Sequence, residues 1–389
     1  MNTTPFKVDV AQETLDDLRM RIAATRWPDE FAGNENWRYG TDPAYLTSLL
    51  DYWGSGFDWR AQESAINARA QHSVEIDGTR IHFIHARGRG ARCMPLILTH
   101  GYPDSFLRFM KLIPLLTDPA AHGGDPNDAF DVVVPSLPWY GFSGKPTQNG
   151  MLFKVAGMWT TLMTKVLGYE HFGAHGGDWG STVTEHLARS HADVVVGIHV
   201  TDVPFLHLFE KPKNLSAKET KFIEQTQQWA QKDGSYALIQ ASRPLTLATG
   251  LSDSPAGLAA WIVDKFRAWS DCDGSVETAF SKDELLANIT LYWVTGTSAS
   301  SLRFYADVAN AGAMTWVVEM LKKWIGSSKV PVGFASFPRD IHPPPREWAE
   351  RFFNIQRWTE MPRGGHFGAL EQPELLAEDI RAFFRPLRQ

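Results

Sequence analysis

The chain has 389 residues, of which 43% are hydrophobic and 21% charged, with a formal net charge of -6; this is the make-up of a globular protein with a real core, either two domains or one α/β domain carrying insertions. That charge, with no Lys/Arg block, excludes a basic nucleic-acid footprint, and Cys93 and Cys272 alone exclude a disulfide framework or a cysteine-rich metal site. No signal-peptide core and no membrane-length apolar run is present, so a soluble, cytoplasmic protein without a membrane anchor is expected.

Residues 1–70 are tryptophan-rich and helical in pattern. "AQETLDDLRMRIAATRW" sets Leu15, Leu18, Ile22 and Ala23 on one stripe, and "DPAYLTSLLDYW" gives a second helix. "HSVEIDGTRIHFIHARG" then reads as a hairpin turning at Asp77-Gly78. "MPLILTHG" is a continuous apolar run, the mark of a strand buried on both faces, "AFDVVVPSLP" is another buried strand, and "FLRFMKLIPLL" and "FKVAGMWTTLMTKVL" are helix candidates. "HFGAHGGDWGSTVTEHLARSH" passes from strand through a tight turn into a helix, and "VVVGIHV" is a further strand. This alternation predicts an α/β fold with a mostly parallel, doubly wound sheet. Between 206 and 312 the strand rhythm gives way to helices, "SAKETKFIEQTQQWAQ" and "SPAGLAAWIVDKFRAW" among them, and this block is expected to form a lid over the carboxyl ends of the strands. Strand signals return at "VPVGFASFP" and "NIQRWTEM" before the amphipathic helix "PELLAEDIRAFF".

The turn "GGDWGS" has the small residues that a nucleophile elbow needs on both sides of its central position, and that position holds Asp178 where an esterase has serine. In such folds the order is nucleophile, acid, histidine. His366 lies in the glycine-flanked loop "RGGHFG", and Asp340 follows the strand that ends at Phe337. Glu360 and Glu371 are weaker candidates for the acid, because they flank the histidine loop too closely to follow a different strand. "THGYPDSF" follows the first buried strand, where backbone N–H groups of Tyr102 and Trp179 would face charge developing on the Asp178 carboxyl, with His100 and Pro103 fixing the loop.

A carboxylate needs no base before it attacks, and it forms an ester with an alkyl carbon. This suits displacement at a saturated carbon, with His366, oriented by Asp340, activating the water that cleaves the ester. A halide leaves with weak donors alone, whereas an epoxide oxygen needs a proton. Tyr236, Tyr305 and Tyr292, all in the helical block, are candidate donors. His171 and His175 make no metal pair, since on a strand rising about 3.3 Å per residue they stand roughly 13 Å apart.

"EIDGTRIHFIHARG", "LTHGYPDSF", "VPSLPWYGFSG", "GGDWGS", "LYWVTGTSASSLRFY" and "GGHFGALEQPE", together with the tryptophan-rich start, stand in the order that resembles the microsomal-type epoxide hydrolases of the α/β-hydrolase superfamily. The resemblance covers nearly the whole chain. It implies an N-terminal meander (1–70), an α/β-hydrolase core (71–205 and 313–389) and a helical lid (206–312). It also implies Asp178 as nucleophile, Asp340 as charge-relay acid and His366 as base, and it favours Tyr236 and Tyr305 over Tyr292 as donors to the epoxide oxygen. It implies an epoxide and water as partners, no cofactor and no metal, and a detoxifying or catabolic setting such as aromatic hydrocarbon breakdown. Two departures stand out: "HGYP" has Tyr102 where the family usually has tryptophan, which alters the pocket wall, and Trp139 in "SLPWYGFS" replaces a small residue, which is expected to narrow the pocket mouth. The rival readings are a haloalkane dehalogenase-like hydrolase and a non-catalytic binding protein of the same fold. Meander and lid also offer apolar surface for a homodimer interface.

Overall fold

The computed structural model describes residues 2–29, 31–209, 212–309 and 328–388, so the expected boundary at 312/313 lies outside the described residues. Among these, the strands β1 (Thr4–Pro5), β2 (Gln71–Ile76), β3 (Thr79–Ala86), β4 (Met94–Thr99), β5 (Phe130–Pro135), β6 (Phe172–Gly176), β7 (Val195–Val200), β8 (Pro331–Ser336) and β9 (Asn354–Glu360) form one sheet in the order β1-β2-β3-β5-β4-β6-β7-β8-β9. The hairpin lies antiparallel at one side, and every pair from β5 to β9 is parallel. Asp77 and Gly78 both take positive φ, 49° and 72°, as a two-residue hairpin turn matched to strand twist requires. β5 is buried at every residue, Asp131 included, because helices cover both faces of a parallel sheet.

The strand order reverses at β4. The chain steps from β4 to β5 on one side and returns with β6 on the other, so a crevice opens beyond the carboxyl ends of β4 and β6. The loop with Tyr102 leaves β4 at this point and the turn with Asp178 leaves β6. The stretch expected to form one helix after β4 instead splits into a single turn, Phe106–Phe109, and a short helix, Leu112–Thr117. Pro114 explains the break: it lacks an N–H, so it is tolerated in the first turn of a helix and not within a continuous one.

The helices α1 (Gln12–Ala23), α2 (Pro43–Ser55) and α3 (Trp59–Asn67) precede the hairpin, and α4 (Leu112–Thr117), α5 (Met151–Thr161) and α6 (Trp179–Ser190) pack on the sheet. The helical block runs α7 (Ala217–Lys232), α8 (Ser235–Ser242), α9 (Pro244–Asp253), α10 (Pro255–Trp269), α11 (Lys282–Val294), α12 (Thr297–Ser300) and α13 (Arg303–Ala309). No described helix is long and apolar enough to cross a membrane. The block is tied down from both sides. Asp307 of α13 accepts the backbone N–H groups of Gly150 and Met151 at 2.6 and 2.7 Å, capping α5 from outside. From the N-terminal helices, the Trp53 indole donates to Thr290 at 2.9 Å, Tyr52 donates to Asp283 at 2.9 Å, and Arg21 pairs with Asp253 at 2.8 Å.

Trp53 is buried between the N-terminal helices and α11. Trp53→Ala is expected to destabilise the fold by about 3–5 kcal/mol through the cavity it leaves. Trp27→Ala, at an exposed indole, should stay within about 0.5 kcal/mol of the parent. Denaturant midpoints of the two variants check the contrast.

Candidate active site

Two glycines permit the turn after β6. A Cβ on Gly176 would sit 2.2 Å from the Gly180 carbonyl oxygen, and one on Gly180 would sit 1.9 Å from that of Thr99, so strand, helix and the neighbouring β4 meet with no room for side chains. Asp178 between them takes φ 58° and ψ -128°, a conformation that costs a non-glycine residue on the order of 1–3 kcal/mol and persists only where its surroundings enforce it. The Asp178 N–H donates to Asp202 at 2.7 Å, Gly180 N–H donates to the Gly177 carbonyl at 2.9 Å, and the Ser181 hydroxyl donates to the Gly176 carbonyl at 3.0 Å.

The two oxygens of Asp178 face different environments. Oδ1 accepts the backbone N–H groups of Tyr102, at 2.9 Å, and Trp179, at 2.7 Å. Oδ2 stands 3.3 Å from His366 Nε2. His366 Nδ1 meets Asp340 Oδ1 at 2.7 Å, and that same oxygen accepts the Ile341 N–H at 2.6 Å. All three expected residues, from the ends of β6 and β8 and from the loop after β9, thus meet in one place. Burial disfavours charge on His366, but Asp340 and Asp178 outweigh it and hold the imidazole well above its ordinary value. Burial likewise opposes the Asp340 carboxylate, yet His366 and the Ile341 N–H keep it below the usual carboxylate range.

Residues outside the sequence expectation lock this arrangement. The buried Arg108 guanidinium donates to Asp104 at 2.5 Å and to the His366 carbonyl at 2.6 Å, and Asp104 accepts the Gly101 N–H at 3.0 Å. The loops of β4 and of His366 are therefore joined through one cation. Glu371 accepts the N–H groups of Asp271, Gly365 and Phe367, at 2.8, 2.9 and 2.9 Å, and so clamps the histidine loop; it does not touch His366 as an acid. Glu360 ends β9 on an exposed face. His100 accepts the Leu137 N–H at 3.1 Å, and the Pro103 carbonyl accepts from Asn288 at 2.7 Å, so both residues do fix the loop.

A cavity of about 210 Å³ opens over Asp178, His366 and Asp340. Trp179, Val203, Leu208, Trp229, Leu238 and Ile341 supply apolar walls, with Tyr236, Tyr305 and His342 the polar side chains that enter from lid and rim. The rings of Tyr236 and Tyr305 meet edge to face at 5.9 Å, and burial pushes both phenols above their ordinary values. Tyr292 is elsewhere: its hydroxyl is spent on the Asp104 carbonyl at 2.8 Å. Tyr102 forms no wall of the cavity. Its ring backs Tyr305 at 5.6 Å, and its hydroxyl accepts from the Trp261 indole at 2.8 Å.

Trp139 does not narrow the mouth as expected. Its backbone turns at φ 73°, and its fully buried side chain runs beneath α13, donating to the Pro146 carbonyl at 2.7 Å and meeting Phe304 at 5.2 Å. Phe304 in turn abuts Trp179 at 5.8 Å, so Trp139 supports the wall from behind. Asp202 lines the cavity and escaped the sequence reading, although it follows the strand "VVVGIHV" much as Asp340 follows "VPVGFASFP".

The chain is similar to proteins of known family over its whole length. Residues 3–109 match the model of the epoxide hydrolase N terminus and residues 94–233 that of the alpha/beta hydrolase fold. Epoxide hydrolase 1 of Sus scrofa is 36% identical over 99% of this chain and 89% of its own length. The structure of Aspergillus niger epoxide hydrolase superposes with a TM-score of 0.85 at 29% identity, covering 100% of this chain and 97% of its own. That of juvenile hormone epoxide hydrolase from the silkworm Bombyx mori does so with a TM-score of 0.89 at 27% identity, covering 100% and 95%. The 36% identity to an epoxide hydrolase over nearly the whole of both chains, with the match of the first 109 residues to the epoxide hydrolase N terminus, places the chain in the epoxide hydrolase family of α/β-hydrolase-fold enzymes.

Proposed function

We propose that this epoxide hydrolase works through a covalent ester on Asp178. The observation that carries the reading is the asymmetry of the Asp178 carboxylate: one oxygen is held by two amide N–H groups and the other faces His366 below an apolar cavity. Oδ2 attacks an epoxide carbon as the C–O bond of the ring breaks, and the ring oxygen takes a proton from Tyr236 or Tyr305. Phenols suit this step because burial keeps them protonated until an alkoxide, a stronger base than phenolate, develops beside them.

Ester formation removes the negative charge of Asp178, and His366 loses one of the two carboxylates that hold its proton. Its pKa falls, and the proton it gives up restores the tyrosine pair. The neutral imidazole then takes a proton from water as the water attacks the ester carbon. The tetrahedral intermediate places its oxyanion on Oδ1, between the N–H groups of Tyr102 and Trp179. Cleavage of the Cγ–Oδ2 bond releases the diol and leaves Asp178 ionised beside a protonated His366, the starting state. Alkylation thus creates the base that the second step requires. The apolar walls favour substrates with a hydrocarbon substituent, and an aryl epoxide is a suitable probe.

A single turnover of a styrene-oxide-like substrate in heavy-oxygen water should label the Asp178 carboxylate and leave the first diol unlabelled; label in that diol would mean direct attack by water. His366→Gln should slow steady-state turnover by about 10²–10⁴-fold and accumulate an adduct of substrate mass, visible in the intact-protein mass spectrum. In the Tyr236→Phe, Tyr305→Phe double variant, adduct formation itself should slow by about 10²–10⁴-fold with the circular dichroism spectrum unchanged. Asp178→Asn removes one of the two carboxylates that raise His366, so the imidazole, followed by NMR, should titrate at lower pH than in the parent; an unchanged titration would separate alkylation from activation of the base.

A further inference from the structure

Asp202 is the acidic side chain of the cavity that the mechanism above leaves without a role. It stands directly after β7, between the strands that deliver Asp178 and Asp340. Its Oδ2 accepts the Asp178 N–H at 2.7 Å, a bond that holds the strained residue from beside β7. One of its oxygens, one of Asp340 and one ring nitrogen of His366 all lie within 4.8 Å of one another. Three carboxyl groups therefore crowd a single imidazole. The guanidinium that faces them, Arg108, is already committed to Asp104 and to the His366 carbonyl.

We propose that Asp202 is a positioning residue for the reaction, a carboxyl kept neutral so that it can hold the Asp178 backbone N–H without adding a third negative charge beside His366. The proposal rests on the reading of Asp178 as nucleophile. The charge count of the cluster supports it: ionised Asp178 and Asp340 balance protonated His366 and leave one excess negative charge, with Arg108 shared outward to Asp104. An ionised Asp202 would add a second. The groups that face it are Asp178 at the start of α6, Asp340 after β8, His366 from the loop after β9, and Arg108 and Ser181. Burial first, then Asp340 and Asp178, outweigh His366 and Ser181 and push the Asp202 carboxyl up to about 7.

A neutral acceptor is what the turn requires. It must hold the N–H of Asp178 firmly, since the φ of 58° has to be enforced. It must also leave His366 free to lose its proton once Asp178 is esterified. An ionised Asp202 would meet the first requirement and fail the second, because it would take over the role of the vanished Asp178 charge and keep His366 protonated.

Infrared difference spectra of the whole enzyme across neutral pH test the protonation state directly. The parent should show a carboxylic-acid C=O band that disappears as pH rises through about 7 and is missing from Asp202→Asn; a parent spectrum with no band lost in that variant overturns the proposal. Since an unfolded carboxyl titrates near 3.9 and the folded one near 7, the folded state holds this proton more tightly, and the stabilisation so gained is complete below about pH 4 and lost as pH rises through 7. The thermal midpoint of Asp202→Asn should therefore gain on that of the parent between pH 5 and 8. Kinetically, Asp202→Ala should lower the alkylation rate constant about 10–100-fold with little change in substrate affinity, and Asp202→Asn, which keeps a neutral acceptor, should recover all but about threefold of that loss. If Asn is as damaging as Ala, negative charge is what the site uses and the proposal fails. Failure of the nucleophile reading would instead appear in the heavy-oxygen experiment and leave the infrared band in place.

Discussion

The structure depends on keeping one carboxylate, that of Asp178, in a conformation and a field it would not adopt alone. The backbone strain is enforced by close contact between β6, α6 and β4, which is why the flanking positions are glycine. The electrostatic cost of burying the charge is met by two amide N–H groups on one oxygen and an imidazole on the other. Each of these partners comes from a different strand end, so the site exists only when the parallel sheet is assembled in register. The reversal of strand order at β4 supplies the crevice in which they converge.

The same constraint explains how the lid is built. On the proposed mechanism a phenol that must stay protonated beside a carboxylate has to be dry, and Tyr236 and Tyr305 pack on each other, on Tyr102 and on Trp269. These contacts would be of little use on a freely moving lid. The N-terminal helices hold it from above through Trp53, Tyr52 and Arg21, and Asp307 ties its last described helix to α5. The tryptophan-rich start of the chain thus ties down the helical block that carries the two phenols without itself lining the cavity.

Much of this was legible in the sequence. Continuous apolar runs mark the buried parallel strands because both faces of such strands are covered, and the elbow is readable because only glycines fit its flanks. His366 and Asp340 are readable because chain order and strand ends locate them. What could not be read is what depends on side-chain direction. Trp139 was expected at the cavity mouth, but a positive φ turns it beneath α13. Tyr102 was expected in the wall, yet it stands behind Tyr305. Arg108, through the His366 carbonyl, and Glu371, through the Asp271 N–H, join segments far apart in sequence, and such bonds leave no pattern in a residue string.

The arrangement also bears on why an aspartate should stand where related elbows carry serine. A serine is neutral at rest and needs a base at the outset, so its histidine must be unprotonated before substrate arrives. On the proposed mechanism an ionised aspartate reverses that order: it holds a proton on His366 while it waits and releases that hold only when it has been alkylated. The resting site is then protected against premature activation of water, since the base is absent until there is an ester to cleave. Timing of this kind requires that no other anion take Asp178's place when its charge is lost. On the proposed mechanism Asp340 stays beside His366 throughout, so the order of the two steps requires that Asp202, crowded against the same imidazole, add no second charge there.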